Sequence, residues 1–147
     1  CEVVREAGEV WADRCARDRV QFRCDTPSEP LIAYVDPVRL RQVIDNLAEN
    51  ALRVSPVGSI IVLNIFADGP FAVLEVRDSG PGLTPEDIAV AFEPGALYER
   101  YRGVRPVGTG LGLALVGRMS VSLGGQALAG QAPEGGARFT VRLPLLG

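Results

Sequence analysis

Apolar residues recur at three- and four-residue steps in two long stretches of the chain, and this period predicts two amphipathic helices. The first helix is predicted over residues 2–19, with an apolar face made of Val3, Ala7, Val10, Trp11 and Cys15. The second is predicted from Pro37 to about residue 54, because an aspartate followed by proline is a typical helix start. Its apolar stripe consists of Leu40, Val43, Ile44, Leu47, Ala51 and Val54.

Shorter runs that are rich in apolar and β-branched residues predict strands. They cover residues 20–24, 59–67, 71–77, about 126–130 and about 137–143, and a further short apolar run covers 31–35. Between the second and third of these strands, the sequence Asp68-Gly69-Pro70 predicts a hairpin turn. Thr84 followed by proline predicts a capped short helix that ends near residue 92.

The stretch 93–109 has no regular period and is interrupted by prolines and glycines, which predicts a long mobile loop. A helix is predicted over 110–123, and leucine and valine on most of its faces predict that it is well buried. It is expected to end at Gly124 and Gly125, because glycine commonly follows the last turn of a helix. The chain contains no internal repeat.

Composition narrows the chemistry that this chain can perform. It has 147 residues, 47% of them hydrophobic, which suits one globular domain. It contains no histidine, and all of its 15 basic residues are arginine. The chain therefore lacks the residues for histidine metal sites, histidine-based triads, Schiff-base chemistry and the lysine-containing phosphate loop. The same absence excludes a eukaryotic-type protein kinase, which needs a lysine on its third strand.

Charge and cysteine content exclude further classes of function. The net charge of −3 and the scattered arginines argue against nucleic-acid binding. The three cysteines have no paired spacing, so we expect reduced thiols in a cytoplasmic protein rather than a disulfide framework or a zinc site. No apolar run approaches the length of a membrane span or a signal segment. A first residue that is not methionine suggests a fragment of a longer protein.

Polar residues beside the apolar stripe of the second helix form the first candidate site. Gln42, Asn46, Asn50 and Arg53 follow one edge of that stripe. Asparagine is a modest helix former, so two of them in mid-helix need a reason. One interpretation is that they satisfy backbone groups of a neighbouring loop. The other is a site for Mg²⁺ and phosphates, because amide oxygens suit a hard cation that keeps several waters.

Two glycine-rich motifs are the other candidates. The first motif, Asp78-Ser79-Gly80-Pro81-Gly82, follows a predicted strand. Its carboxylate could accept a hydrogen bond from an exocyclic amine. Taken alone, such a sequence is also typical of ordinary turns. The second motif, at residues 108–114, lies at the start of the predicted buried helix. The backbone N–H groups at a helix N-terminus have no intrahelical partner and could bind an anion. This second motif follows no predicted strand and lacks the glycine spacing of a dinucleotide-binding fold. A simple tight turn is the alternative interpretation.

Together these motifs resemble the GHKL ATP-binding superfamily, and most closely the catalytic, ATP-binding domain of bacterial sensor histidine kinases. Residues 42–51 resemble the N box, 78–82 the G1 box and 108–114 the G2 box, while 92–94 and the stretch 98–102 resemble the F box at the start of an ATP lid. The resemblance covers about residues 31–144. It implies a two-layer α/β sandwich of the Bergerat type, with a mixed sheet of about five strands, three main helices and an ATP lid.

The resemblance also implies roles for individual residues. Asn50 would coordinate Mg²⁺, Asn46 and Arg53 would reach the phosphates, and Asp78 would hold the adenine amino group. The G1 glycines Gly80 and Gly82 belong to the same ATP site. In the G2 box the ATP-binding residues would be Gly108, Thr109, Gly110, Leu111 and Gly112, the glycines bending the lid over the phosphates. Arg102, or its neighbours Arg100 and Arg105, would meet the γ-phosphate.

One position separates branches of the superfamily. Its hydrolytic members carry a water-activating glutamate four residues before the metal-binding asparagine, where this chain has Asn46, and an amide cannot act as a general base. The resemblance therefore implies a histidine kinase module of a two-component system, with no certain catalytic residue on this chain. A GHKL serine kinase or ATPase remains an alternative. So does a non-catalytic pseudokinase that serves as a docking module, which Val54 and Ala137 favour because relatives often carry an aromatic residue and a threonine there.

The partners implied are the dimerisation and histidine phosphotransfer domain of the same kinase and a response regulator, with no nucleic acid and no membrane contact by this domain. The expected location is cytoplasmic, as part of a membrane-anchored sensor. Because the chain has no histidine, the phosphoacceptor must lie outside it.

Overall fold

A five-stranded mixed sheet organises the computed structural model, which describes residues 2–33, 35–97, 111–133 and 135–146. The helices are α1 (Glu2–Arg17), α2 (Pro37–Val54), α3 (Pro85–Val90) and α4 (Leu111–Ser122), and the strands are β1 (Gln21–Asp25), β2 (Ile60–Asp68), β3 (Phe71–Arg77), β4 (Gln126–Gln131) and β5 (Ala137–Pro144). The strand order is β1-β2-β3-β5-β4, in which β1 and β2 are parallel and the other pairs are antiparallel. The predicted two-layer fold is confirmed.

In the described part of the chain, helices cover one face of the sheet and not the other. Alternate residues such as Ile61, Leu63, Leu74, Val76 and Phe139 belong to a single apolar cluster with residues of α1, α2 and α4. The opposite face carries the other set of residues, because successive side chains of a strand point to opposite sides. Within the described residues no helix packs on this second face, which is called the open face below.

Helix α2 crosses the covered face, and its sequence explains both its start and its orientation. Asp36 caps the helix by accepting a hydrogen bond from the Val38 N–H (2.9 Å), and Pro37 fits the first turn, where no intrahelical N–H donor is needed. The residues of its predicted stripe from Leu40 to Ala51 are buried, together with Ala48. This burial sets which side of α2 remains available to ligands.

A polar contact holds α1 beside α2. The indole Nε1 of Trp11 donates to Asp45 Oδ1 (2.8 Å), and Arg41 Nε donates to the same oxygen (3.0 Å). The guanidinium of Arg14 lies over the Trp11 ring, 4.8 Å from its centroid. Trp11 is itself buried, so this side chain links the core to Asp45 and Arg41, which lie on the opposite edge of the apolar stripe from Asn46 and Asn50.

Three expectations about helices change in detail. Helix α1 ends at Arg17, before the expected residue 19, because Arg19 adopts a left-handed backbone conformation (φ 60°) that ends the helical path. Helix α3 ends at Val90, near the expected end. The prediction that the helix over 110–123 is well buried was wrong, because Leu111 and Val121 are 59% and 70% exposed. Most of the loop predicted over 93–109 lies outside the described residues.

No helix in the described part of the chain is long and apolar enough to cross a membrane.

We predict that Leu47→Ala lowers the free energy of unfolding by about 2–5 kcal/mol, because it leaves a cavity beneath α2 where Leu47 is fully buried. Urea denaturation measures this loss. Val38→Ala is the matched control in the same helix, since Val38 is 66% exposed, and we expect a change of about 0.5 kcal/mol or less. Equal losses in the two variants would contradict the orientation of α2 described above.

Candidate functional site

The polar edge of α2 carries the first part of the site. Asn46 and Asn50 are half-buried beside the apolar stripe. Within the described residues neither amide forms a hydrogen bond to protein, so the loop-bonding role considered for them has no support there. Arg53 lies one turn farther on, with its guanidinium 3.8 Å from the carboxylate of Glu49. The edge therefore offers two amides and a cation.

Asp78 is the second part of the site, and it lies directly after β3. It is 1% exposed, and its Oδ1 accepts hydrogen bonds from the N–H groups of Gly80 (2.9 Å) and Ala137 (3.0 Å). Its own backbone N–H donates to the Ala137 carbonyl (3.0 Å). A carboxylate has about four acceptor positions, so Asp78 can anchor this loop and still accept a hydrogen bond from a ligand.

Glycine is required around Asp78 because the backbone is closely packed there. A Cβ at Gly80 would lie 2.8 Å from Val54 Cγ2, and one at Gly136 would overlap the carbonyl and Oδ1 of Asp78. Gly82 has a φ of 78°, and a Cβ there would lie 2.7 Å from Gln131 Oε1. The loop of residues 78–82 is thus enclosed between the end of α2 and the β4–β5 hairpin.

The third part of the site is at the start of α4. A Cβ added to Gly112 would lie 3.4 Å from Asn46 Oδ1, so the first turn of α4 packs against the asparagine edge of α2. Leu111, the first residue of this helix, is exposed. Four predicted residues of this part, Arg102, Gly108, Thr109 and Gly110, lie outside the described residues.

Helix α2 brings these parts together along one side. Asn46 contacts the α4 region, and Val54, eight residues later, contacts the loop that follows Asp78. A helix rises about 1.5 Å per residue, so these two contacts are about 12 Å apart along the helix axis. Asn50 and Arg53 lie between them. The predicted site residues that the structure describes therefore lie in a row on α2 and next to this helix.

Some residues of this region were missed by sequence reasoning. The side chain of Gln131 accepts a hydrogen bond from the Leu83 N–H (3.3 Å), and Ser55 Oγ accepts one from the Ser79 N–H (3.4 Å). The Ser79 hydroxyl donates to the Ile60 carbonyl (2.7 Å). Gln131 and Leu83 are 48 residues apart, and no local pattern relates them. The pairing of β5 with both β3 and β4 brings them together.

The two thiols in the described part of the chain, Cys15 and Cys24, do not add a nucleophile to the site. Burial raises the pKa of the Cys15 thiol, and Asp18 raises it further; burial and Asp25 do the same for Cys24. Both are free thiols that stay protonated at neutral pH. Among the described residues no group of three or more His, Cys, Asp or Glu side chains could hold a metal ion. A magnesium ion here would depend on amide oxygens, water and phosphates.

The family model and the most similar relatives point to the same protein family. Residues 35–147 match the family model described as "Histidine kinase-, DNA gyrase B-, and HSP90-like ATPase". The sensor protein TorS of Escherichia coli K12 is 44% identical over 116 residues, which cover 79% of this chain and 12% of TorS. The probable sensor histidine kinase TcrY of Mycobacterium tuberculosis is 34% identical over 152 aligned positions, which cover 97% of this chain and 32% of TcrY.

Solved structures agree with these relatives. The full-length ShkA structure in complex with AMPPNP superposes with a TM-score of 0.82 at 30% identity, covering 98% of this chain and 29% of ShkA. The mycobacterial sensor histidine kinase MprB gives a TM-score of 0.77 at 26% identity, covering 96% of this chain and 93% of the MprB structure. The chain spans about an eighth of the length of TorS and of the RcsC sensor kinase of the same organism.

We predict that Gly136→Ala lowers the free energy of unfolding by about 1–3 kcal/mol, because the new methyl group would overlap Asp78 and force the hairpin away from it. Gly130→Ala is the control in the same hairpin, since its Cβ would meet only the Arg138 guanidinium at an ordinary distance of 3.6 Å. Urea denaturation compares the two variants. If Gly136→Ala is as stable as Gly130→Ala, the close contact at Asp78 is not present in solution.

Proposed function

Because the chain belongs to the histidine kinase-, DNA gyrase B- and HSP90-like ATPase family, we propose that it is the single ATP-binding catalytic domain of a two-component sensor histidine kinase. It binds Mg·ATP and donates the γ-phosphate to a histidine on a separate dimerisation domain. The observation that carries this proposal is the alignment of Asn46, Asn50 and Arg53 along α2, between the Asp78 loop and the start of α4.

Asp78 recognises adenine in this proposal. Its carboxylate is held in place by the N–H groups of Gly80 and Ala137, so its orientation is established before the nucleotide binds. The adenine amino group donates a hydrogen bond to this carboxylate. Burial of the carboxylate keeps water from competing, and a hydrogen bond to a charged group is stronger than one between neutral groups.

The asparagine edge fits a magnesium ion. The amides of Asn46 and Asn50 form no hydrogen bond to protein within the described residues, and Mg²⁺ prefers oxygen ligands while keeping several waters. Asn50 would hold the ion, and Asn46 and Arg53 would position the phosphates. The ion, when bound, neutralises charge that develops on the transferred phosphoryl group. The glycine at 112 allows the first turn of α4 to approach Asn46 closely.

Transfer to a protein acceptor is favoured over hydrolysis by the lack of a base on α2. Asn46 occupies the position of the hydrolytic glutamate, and an amide does not accept a proton from water at neutral pH. Glu49 does not replace it, because its carboxylate pairs with Arg53 at 3.8 Å and is 53% exposed. Phosphoryl transfer needs mainly positioning and charge neutralisation, which the proposed residues supply.

The partners follow from this role. The chain has no histidine, so the phosphoacceptor is on the dimerisation and histidine phosphotransfer domain of the same kinase, and a response regulator receives the phosphoryl group next. We place the domain in the cytoplasm as part of a membrane-anchored sensor, without membrane or nucleic-acid contact of its own. With 15 arginines and 18 acidic residues the chain has a net charge of −3, which is consistent with the proposed absence of nucleic-acid binding.

We predict that Asp78→Asn weakens Mg·ATP binding about 10- to 100-fold, because it removes a charge-assisted hydrogen bond to the adenine amine. Isothermal titration measures the dissociation constants. Asp36→Asn is the matched control, because asparagine caps a helix as well as aspartate does and Asp36 lies at the start of α2. Unchanged affinity in a folded Asp78→Asn protein would refute the adenine role, and absence of binding by the parent chain would refute the whole proposal.

A separate fragment that carries the dimerisation helices, mixed with this chain and Mg·ATP, is predicted to become phosphorylated on histidine. Asn50→Ala should reduce the rate by about 100-fold, because it removes the direct metal ligand. The exposed Gln126→Ala is the amide control and should leave the rate unchanged. Acid-labile phosphate on the fragment distinguishes this outcome from phosphoserine. Hydrolysis of ATP by the isolated chain without transfer would favour an ATPase instead.

A further inference from the structure

A residue of another strand holds the far end of the loop of residues 78–82. Leu83, which directly follows this loop, is 6% exposed, so its backbone N–H is shielded from water and needs an acceptor in the protein. The side-chain oxygen Oε1 of Gln131 is that acceptor (3.3 Å). Among the described residues no other group accepts a hydrogen bond from this N–H.

The same oxygen of Gln131 lies against Gly82. A Cβ at Gly82 would be 2.7 Å from this oxygen and 3.0 Å from the carbonyl oxygen of Gly135. Gly82 also has a left-handed backbone conformation, with a φ of 78°. The space beside Gly82 therefore admits only backbone, and residues of the β4–β5 hairpin bound it.

The two ends of the loop attach to this one hairpin. At the start, the Asp78 N–H donates to the Ala137 carbonyl and Asp78 Oδ1 accepts from the Ala137 N–H, both at 3.0 Å. Gln131 and Ala137 are partners in the β4–β5 register, and the Ala132 N–H donates to the Gly136 carbonyl (2.7 Å) in the turn between them. At its start the loop is bound by backbone groups of the hairpin, whereas at its end it is bound by a side chain. A substitution can therefore remove the second contact without the first.

We propose that Gln131 is a positioning residue for adenine recognition, an inference that rests on the proposed function. Gln131 does not touch the nucleotide in this proposal. It acts through the Leu83 N–H, which it holds against the hairpin. One of the two N–H groups that orient the Asp78 carboxylate belongs to Gly80, in the middle of the same loop (2.9 Å). Without Gln131 the buried Leu83 N–H has no acceptor, the loop shifts toward water, and the carboxylate is less well oriented toward the adenine amine.

The test begins with Gln131→Leu in the full 147-residue chain, which removes the acceptor and keeps a side chain of similar size. We expect this variant to bind Mg·ATP about fivefold more weakly by isothermal titration, the scale of one hydrogen bond. Hydrogen exchange of the Leu83 amide, measured by NMR without nucleotide, should become faster. Gln131→Glu keeps an acceptor oxygen and should bind Mg·ATP as the parent does. Gln126→Leu, at the exposed start of the same strand, is the matched control and should change neither measurement.

Purine riboside triphosphate, which lacks the 6-amino group, separates positioning from a structural role. The parent and Gln131→Leu should bind it equally, because it offers no amine for the Asp78 carboxylate. Equal losses of affinity for both nucleotides would indicate a structural role and overturn the proposal. So would an unchanged affinity for Mg·ATP or unchanged Leu83 exchange in Gln131→Leu, or equal losses in Gln131→Leu and Gln131→Glu. Failure of the parent chain to bind Mg·ATP would instead refute the proposed function itself.

Discussion

The packing of α2 on the sheet is the constraint on which the rest of the site depends. Its buried stripe, with Leu47 at the centre, sets the rotation of the helix about its own axis. Since Asn46 and Asn50 occupy one edge of that stripe, their direction is a consequence of apolar burial elsewhere on the same helix. Trp11 adds a second restraint through its hydrogen bond to Asp45, the residue before Asn46. Hydrophobic packing of the stripe thereby orients the amides at its edge.

Much of the fold could be predicted from the sequence because its signals are local. The 3.6-residue period of α2, the Asp36 cap and the β-branched strand runs each lie within a short segment, and the structure has elements there within one or two residues. The end of α1 was missed because Arg19 adopts a left-handed backbone conformation, which the pattern of apolar residues does not predict. The exposure of Leu111 and Val121 depends on what packs against α4, and its composition could not show that.

The site was only partly predictable, because several of its contacts join residues that are distant in sequence. Asp78, Gly80 and Gly82 could be identified as a motif, but the contacts that require glycine come from Val54, Gln131 and Gly135, which are distant in sequence. The contacts with Gln131 and Gly135 exist because β5 pairs with both β3 and β4. Arg102, Gly108, Thr109 and Gly110 stay predictions. The ATP-binding role of every residue discussed is a proposal that the family supports and that binding experiments test.

Arg77 and Asp78 are consecutive residues with opposite surroundings, one on the open face with Glu75 and the other buried against Gly80 and Ala137. Side chains alternate between the faces of a strand, so the number of residues between the β2–β3 turn and Asp78 determines which of the two lies inside. Inserting one residue in β3 would put the Arg77 guanidinium where the buried carboxylate now accepts two N–H bonds, and deleting one would put Ser79 there. A change of one residue in the length of β3 is therefore incompatible with the buried carboxylate that anchors the loop after this strand.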